Sequence, residues 1–149
     1  MDVSTRKATL DDVPRLWTIR RESILKLAPG GMSVGESQTW AAKMTLAGME
    51  KRFRDAEIWI AESEGIIVGW IAIRVDYIDG LYVDPPFAQQ GIGSQLLQLS
   101  EALIREQGIQ IVRLDSSVNA EEFYLRRGYE RTGVTPERDA IPMRKRLVG

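Results

Sequence analysis

The 149 residues contain no cysteine and no histidine. Without cysteine there can be no disulfide, no thiolate nucleophile and no sulfur-ligated metal. Without histidine the chain lacks the commonest metal ligand and the commonest general base near neutral pH. A Ser-His-Asp triad cannot be built, so proton transfer must use Asp, Glu, Tyr, Lys, a terminus or water. Long apolar runs are missing too. Ile66 to Ile73 is the longest strongly apolar stretch, far too short to span a bilayer, and the opening MDVSTRK carries no apolar leader. No block of like charge exists either: 20 basic and 21 acidic residues are well mixed, giving a net charge of −1. Neither a nucleic-acid arm nor a membrane anchor is expected, and a cytoplasmic protein is.

What is present fits one domain spanning residues 1–149, with an α/β (α+β) order of elements. Val3 to Lys7 alternates as a first strand, and Thr9-Leu10-Asp11-Asp12 has capping-box spacing ahead of a helix over Asp11 to Leu27. Pro29-Gly30-Gly31 breaks that helix. Ser33 with Glu36 starts a second, carrying Trp40 and Met44, and Leu46, Met49 and Phe53 mark further helical turns. Glu57 to Ser63, Ile66 to Val75 and Tyr77 to Val83 read as three successive strands, with a hairpin turn at Glu64-Gly65. Ser94 to Gln107 is the strongest helix, its Leu96, Leu99 and Leu103 on one stripe, and Gly108 closes it. Ile109 to Ser117 is a strand, Ala120 to Arg127 a short helix, and Tyr129 to Val134 and Ala140 to Leu147 the last two strands. About seven strands thus form a mixed, mostly antiparallel sheet flanked by helices. Its one parallel, right-handed crossover joins strands four and five.

Two segments carry chemistry. In Ala88-Gln89-Gln90-Gly91-Ile92-Gly93-Ser94 the paired glycines let the backbone turn sharply just ahead of the strong helix. The first N–H groups of that helix have no internal partner and carry partial positive charge, which suits a pyrophosphate. No Lys or Arg lies between Val83 and Leu97, so backbone amides would do most of the binding. The same residues also make a plain tight turn capped by Ser94. The second segment, Asn119 to Tyr129, offers Asn119 as a cap, Phe123 for packing and Tyr124 beside it. A phenol with a pKa of about 10 holds its proton at neutral pH and can give it to a departing thiolate; it can equally be a packing residue.

Taken together, Leu81-Tyr82-Val83-Asp84-Pro85, then Gly91-Ile92-Gly93, then Asn119-Ala120 with Phe123-Tyr124 and Gly128-Tyr129 resemble the GNAT superfamily of N-acetyltransferases in order and spacing. The resemblance covers nearly the whole chain. It departs at Ala88, where the family pattern has Arg or Gln, with Gln89 and Gln90 following. The resemblance implies acetyl-CoA as cosubstrate, with no metal. Leu81, Tyr82 and Val83 would pair with its pantetheine arm, Gln89, Gln90, Gly91, Ile92, Gly93 and Ser94 would meet the diphosphate, and Asn119 and Tyr124 would complete the site. Acetyl would pass directly to a primary amine, a small molecule or peptide, with a backbone N–H near Tyr82 or Val83 on the oxyanion and Tyr124 as general acid. Asp79 is the first candidate base, followed by Asp76, Glu36 or a water chain. Trp17, Trp40 and Trp59 are candidates for the acceptor pocket. Two competing readings follow from the same residues: an acyl-CoA-binding module without turnover, favoured by Ala88, and a nucleotide-binding regulator built on the glycine turn. Oligomeric state is left open, a homodimer included.

Overall fold

The computed structural model describes residues 2–27, 34–133 and 140–147. The expected helix break at Pro29-Gly30-Gly31, the helix start at Ser33 and the strand end at Val134 lie outside them.

Thr9 turns the chain from strand β1 (Ser4–Lys7) into a short 3-10 turn, Leu10–Asp12, that feeds helix α1 (Val13–Leu27). The Asp12 carboxylate fixes that turn, accepting hydrogen bonds from the Thr9 N–H at 2.7 Å and from Arg6 at 2.8 and 3.1 Å. Arg6 thereby holds the Asp12 carboxyl below its ordinary range. Helices α2 (Val34–Ala42) and α3 (Leu46–Asp55) follow. Strand β2 (Glu57–Ser63) meets β3 (Ile66–Arg74) through a hairpin in which Glu64 and Gly65 both have positive φ, the conformation that matches the twist of the flanking strands. Strand β4 (Tyr77–Val83), helix α4 (Ile92–Glu106), strand β5 (Ile111–Ser116), helix α5 (Glu121–Leu125) and strands β6 (Glu130–Arg131) and β7 (Ile141–Arg146) complete the order.

All seven strands lie in one sheet, in the order β1-β2-β3-β4-β5-β7-β6, and β4–β5 is its one parallel pair. The expected architecture is therefore the observed one. Boundaries move by a few residues. Helix α4 starts two residues before Ser94 because Gly91, at φ +84°, already serves as its N-cap. The short helix is trimmed to Glu121–Leu125 because a 3-10 turn, Val118–Ala120, precedes it and Ser117 caps that turn.

The sheet buries a cluster on each face. Val13, Leu16, Ile19, Met49, Ile58, Ile60, Trp70 and Ala72 form one, beneath α1 and α3. Ile71, Ile73, Ile78, Ile92, Leu96, Leu97, Ile104, Val112, Leu114, Tyr124, Tyr129 and Met143 belong to the other, beneath α4 and α5. Of the stripe read from the sequence, Leu96 is buried while Leu99 and Leu103 are half-buried. The face α4 lays on the sheet is centred on Ile92, Leu96, Leu97 and Ile104, and burial of such side chains contributes about 1.5–3 kcal/mol each.

Candidate active site

The site begins where two strands part. Strand β4 pairs with β5 only through Tyr77↔Arg113 and Ile78↔Leu114. Its pairing with β3 slips at the next residue: Ala72 faces Gly80 while Ile73 faces Ile78, so Asp79 is the extra residue of a bulge. Beyond the bulge β4 has one neighbour. The Asp84 N–H donates to the Val68 carbonyl at 2.9 Å. By the alternation of an antiparallel ladder, Tyr82 and Gly80 also direct their backbone groups at β3, whereas Leu81 and Val83 turn theirs away from it, toward the gap. Asp84, buried and joined to Arg15 at 2.6 Å, pins the end of the strand.

A cleft of about 490 Å³ occupies that gap. Leu81 and Val83 line one wall; Gln89, Gly91, Ile92, Gly93 and Ser94 line the turn into α4; Ala120, Phe123 and Tyr124 line the opposite wall. Gly93 faces Phe123, and a Cβ there would sit 3.4 Å from the ring, so only a residue without a side chain leaves this passage its full width. Gln89 also has positive φ, at 60°, which helps bend the chain before the N-cap. The first amides of α4 thus open onto the cleft, as an anion requires.

Tyr124 is 7 % exposed and lines this cleft. Its ring makes edge contacts with Phe123 at 5.2 Å and Tyr129 at 5.5 Å between centroids. Its hydroxyl makes no hydrogen bond to a described residue. Burial, followed by the nearness of Tyr82 and Tyr77, pushes its pKa above the ordinary tyrosine value, so the phenol is fully protonated at neutral pH.

Not every expected residue reaches the cleft. Tyr82 gives its backbone to β3, and its ring packs on Trp70 at 5.0 Å on the other face of the sheet. Neither Gln90 nor Asn119 is in the cleft wall. Asp79 is not in the wall either: Arg74 Nε lies 3.1 Å and Arg52 Nε 3.6 Å from its carboxylate. Asp76 is engaged by a two-pronged contact from Arg113. Glu36 and Trp40 lie on α2 with side chains outside the described residues. Trp17 and Trp59 pack against the two cores rather than lining this cleft.

Conversely, the cleft contains residues the sequence did not single out for it: Ser23, Phe87, Glu122, Arg126 and Arg127. Arg127 is the informative one, since the turn just past α5 brings its guanidinium over the Phe123 ring four residues earlier. Ser94 and Arg127 also border a smaller cavity of about 210 Å³, with Leu97, Gln98, Glu101 and Lys145. There the buried Glu101 accepts from the Tyr129 hydroxyl at 2.7 Å and from Lys145 at 3.0 Å, and burial, with Glu101 next, drives the Tyr129 pKa upward. Among the described residues no group of three or more acidic side chains could hold a metal, and no helix is long and apolar enough to cross a membrane.

A strand edge thus lies open beside a glycine-capped helix, with a buried phenol across from it. A family model described as acetyltransferase (GNAT) domain matches residues 18–147. The chain belongs to the GNAT acetyltransferases. It is accordingly an acyl-CoA-dependent acetyltransferase. Among its relatives is an uncharacterized N-acetyltransferase, YafP, of Escherichia coli K12, 26% identical over 129 residues, or 87% of this chain and 82% of the relative. Among solved structures, a GCN5-related N-acetyltransferase (aminotransferase, class II) from Rhodopseudomonas palustris is 28% identical, with a TM-score of 0.91 over 99% of this chain and 97% of the other. The PaiA N-acetyltransferase of Thermoplasma acidophilum, solved in complex with coenzyme A, shares the fold at 20% identity and a TM-score of 0.84, covering 99% of this chain and all (100%) of that one.

Proposed function

We propose that this GNAT acetyltransferase moves acetyl from acetyl-CoA to a primary amine of a small molecule or peptide by direct attack, with Tyr124 as general acid. The observation that carries this reading is the Tyr124 hydroxyl: buried in the cleft wall, unpartnered by described residues, and across from the unpaired edge of β4. The cleft suits the cosubstrate. Leu81 and Val83 offer backbone groups turned away from β3 for an amide-bearing arm, the amides ahead of Gln95 suit its diphosphate, and in this reading Val83 N–H donates to the carbonyl oxygen as it develops charge. When bound, acetyl-CoA supplies an acyl carbon activated by its thioester.

The bond changes then balance simply. The amine nitrogen bonds to the acyl carbon and the carbon–sulfur bond breaks. Tyr124 gives its proton to the departing sulfur and regains one from solvent. Because Asp76 and Asp79 are both held by arginines, the proton of the attacking amine is assigned to water or to Glu36 rather than to either of them. No step calls for a thiol nucleophile, in keeping with a chain that has none.

Release of free CoA across a panel of amines, amino acids and peptides tests the reading, and a panel with no turnover despite tight CoA binding would leave only the binding-module alternative. Replacing Tyr124 by Phe should lower kcat by about 10²–10⁴-fold, the usual contribution of a positioned acid, while the KM for acetyl-CoA stays put. Since burial raises the phenol's pKa, the wild-type rate should not lose this proton donor until the pH rises above the ordinary tyrosine value of about 10. A Phe variant with full rate at every pH would sink the assignment.

A further inference from the structure

The turn that faces the expected diphosphate contains no cation, and Ala88 stands where the family pattern has Arg or Gln. Backbone amides alone would face two phosphoryl groups. The structure brings a cation to the same place from a different element. Arg127, just past the end of α5, lines the cleft together with Gly91, Gly93 and Ser94. Its guanidinium stacks on the Phe123 ring at 3.8 Å from the centroid, Nη1 donates to the Phe123 carbonyl at 2.9 Å, and Nε reaches Ser94 Oγ at 3.4 Å. Ser94 is the third residue of α4, so the guanidinium lies against the first turn, where the free amides are. Nη2 makes no hydrogen bond to a described residue.

The neighbouring charges do not cancel it. Glu122 is exposed and pairs with Arg126 at 3.1 Å; Glu101, in the adjoining small cavity, is taken by Lys145 and Tyr129. No acidic side chain among the described residues forms an ion pair with Arg127. An arginine fixed by its ring and two hydrogen bonds, yet keeping a fork nitrogen idle, is preorganised for a phosphate oxygen and loses little rotamer freedom on binding.

We propose that Arg127 is a diphosphate-binding residue of the acetyl-CoA site, taking over from outside the turn the cation that Ala88 cannot supply. This rests on the acetyl-CoA reading above. Phe123 has a matching part, since its ring holds the guanidinium against the helix start.

Binding of CoA, dephospho-CoA and pantetheine to the full chain, measured by calorimetry at several salt concentrations, tests it. Arg127→Gln should weaken CoA and dephospho-CoA by about tenfold, the size of one charge-assisted hydrogen bond, and leave pantetheine unchanged. It should also flatten the salt dependence of CoA binding, because one screened attraction is gone. Arg127→Lys, which keeps charge without the fork, should fall between, and the melting temperature of each unliganded variant checks folding. Loss confined to CoA would move the contact to its 3′-phosphate and overturn the proposal. So would equal loss with pantetheine, or a lysine variant as weak as the glutamine one with salt sensitivity intact. Wild-type protein that binds none of the three overturns the acetyl-CoA reading and this proposal with it; wild-type binding matched by Arg127→Gln overturns the arginine alone.

Discussion

Strand β4 has two halves that meet different fates. Tyr77 and Ile78 are paired on both sides, to Arg74 and Ile73 of β3 and to Arg113 and Leu114 of β5. Leu81 and Val83 are paired on one side only. Side chains reinforce the closed half: Arg113 grips Asp76, and the Tyr77 hydroxyl donates to Asp115 at 2.9 Å. The open half is backed instead from the face beneath α1, where Trp70 lies under Tyr82. A strand edge left unpaired inside a domain has unmet backbone groups, and a ligand that meets them gains what a neighbouring strand would have gained. The comparison therefore separates residues that make the gap from residues that use it.

The largest effect should come from removing the backing. Trp70 is fully buried, and its indole N–H donates to the Leu16 carbonyl at 3.0 Å. Trp70→Ala should cost about 3–5 kcal/mol, the usual range for a buried aromatic truncated to Ala, and lower the melting temperature by roughly 10 °C. Thermal unfolding of the unliganded chain measures this directly. A shift of only one or two degrees would mean that the open half stands without Trp70.

A smaller and differently directed effect should follow from removing one donor on the open edge. Val83 N–H turns away from β3, so Val83→Pro takes no bond from the sheet, and proline is tolerated on a strand edge of this kind. Stability should change little, while affinity for CoA should fall about tenfold for the missing hydrogen bond. Calorimetry with CoA and a melting curve together check it. Collapse of the fold would instead place Val83 N–H in the β3 ladder.

How much of this was legible in the sequence follows from the range of each interaction. The strands around Glu64-Gly65 and the helix behind Gly91 are set by local pattern and local backbone conformation, so they could be read, as could the one parallel crossover between strands four and five. Tyr124 could be singled out because its neighbours Phe123 and Gly128 travel with it in the motif. What could not be read were meetings between distant segments. Asp79 looks like a strand-end acid near the acceptor mouth until Arg52, 27 positions earlier on α3, arrives beside it together with Arg74. Arg127 reads as a charge suited to a helix C-terminus, and only the packing of α5 against the start of α4 brings it to Ser94. Tyr82 was grouped with Leu81 and Val83, yet alternation along the strand sends its backbone the opposite way.

The smallest effect should come from loosening the closed half. Asp76 accepts from Arg113 Nε at 2.8 Å and Nη2 at 3.1 Å, and this contact holds its pKa below the ordinary carboxylate value. A carboxyl with a lowered folded pKa contributes stability that is present above the unfolded value of about 3.9 and is lost as pH falls through the folded value. Arg113 is largely exposed, so solvent screening keeps the contribution below about 1 kcal/mol. Asp76→Asn should therefore be slightly less stable than wild type at neutral pH, and the two should converge as the pH drops below about 4. The backbone bond from Arg113 N–H to the Asp76 carbonyl, 2.9 Å, survives the substitution and keeps the two strands in register. Urea midpoints from pH 7 down to pH 3 give the comparison. A constant gap between the two proteins across that range would show that the ion pair does not titrate with the fold, and that the backbone ladder alone closes this half of β4.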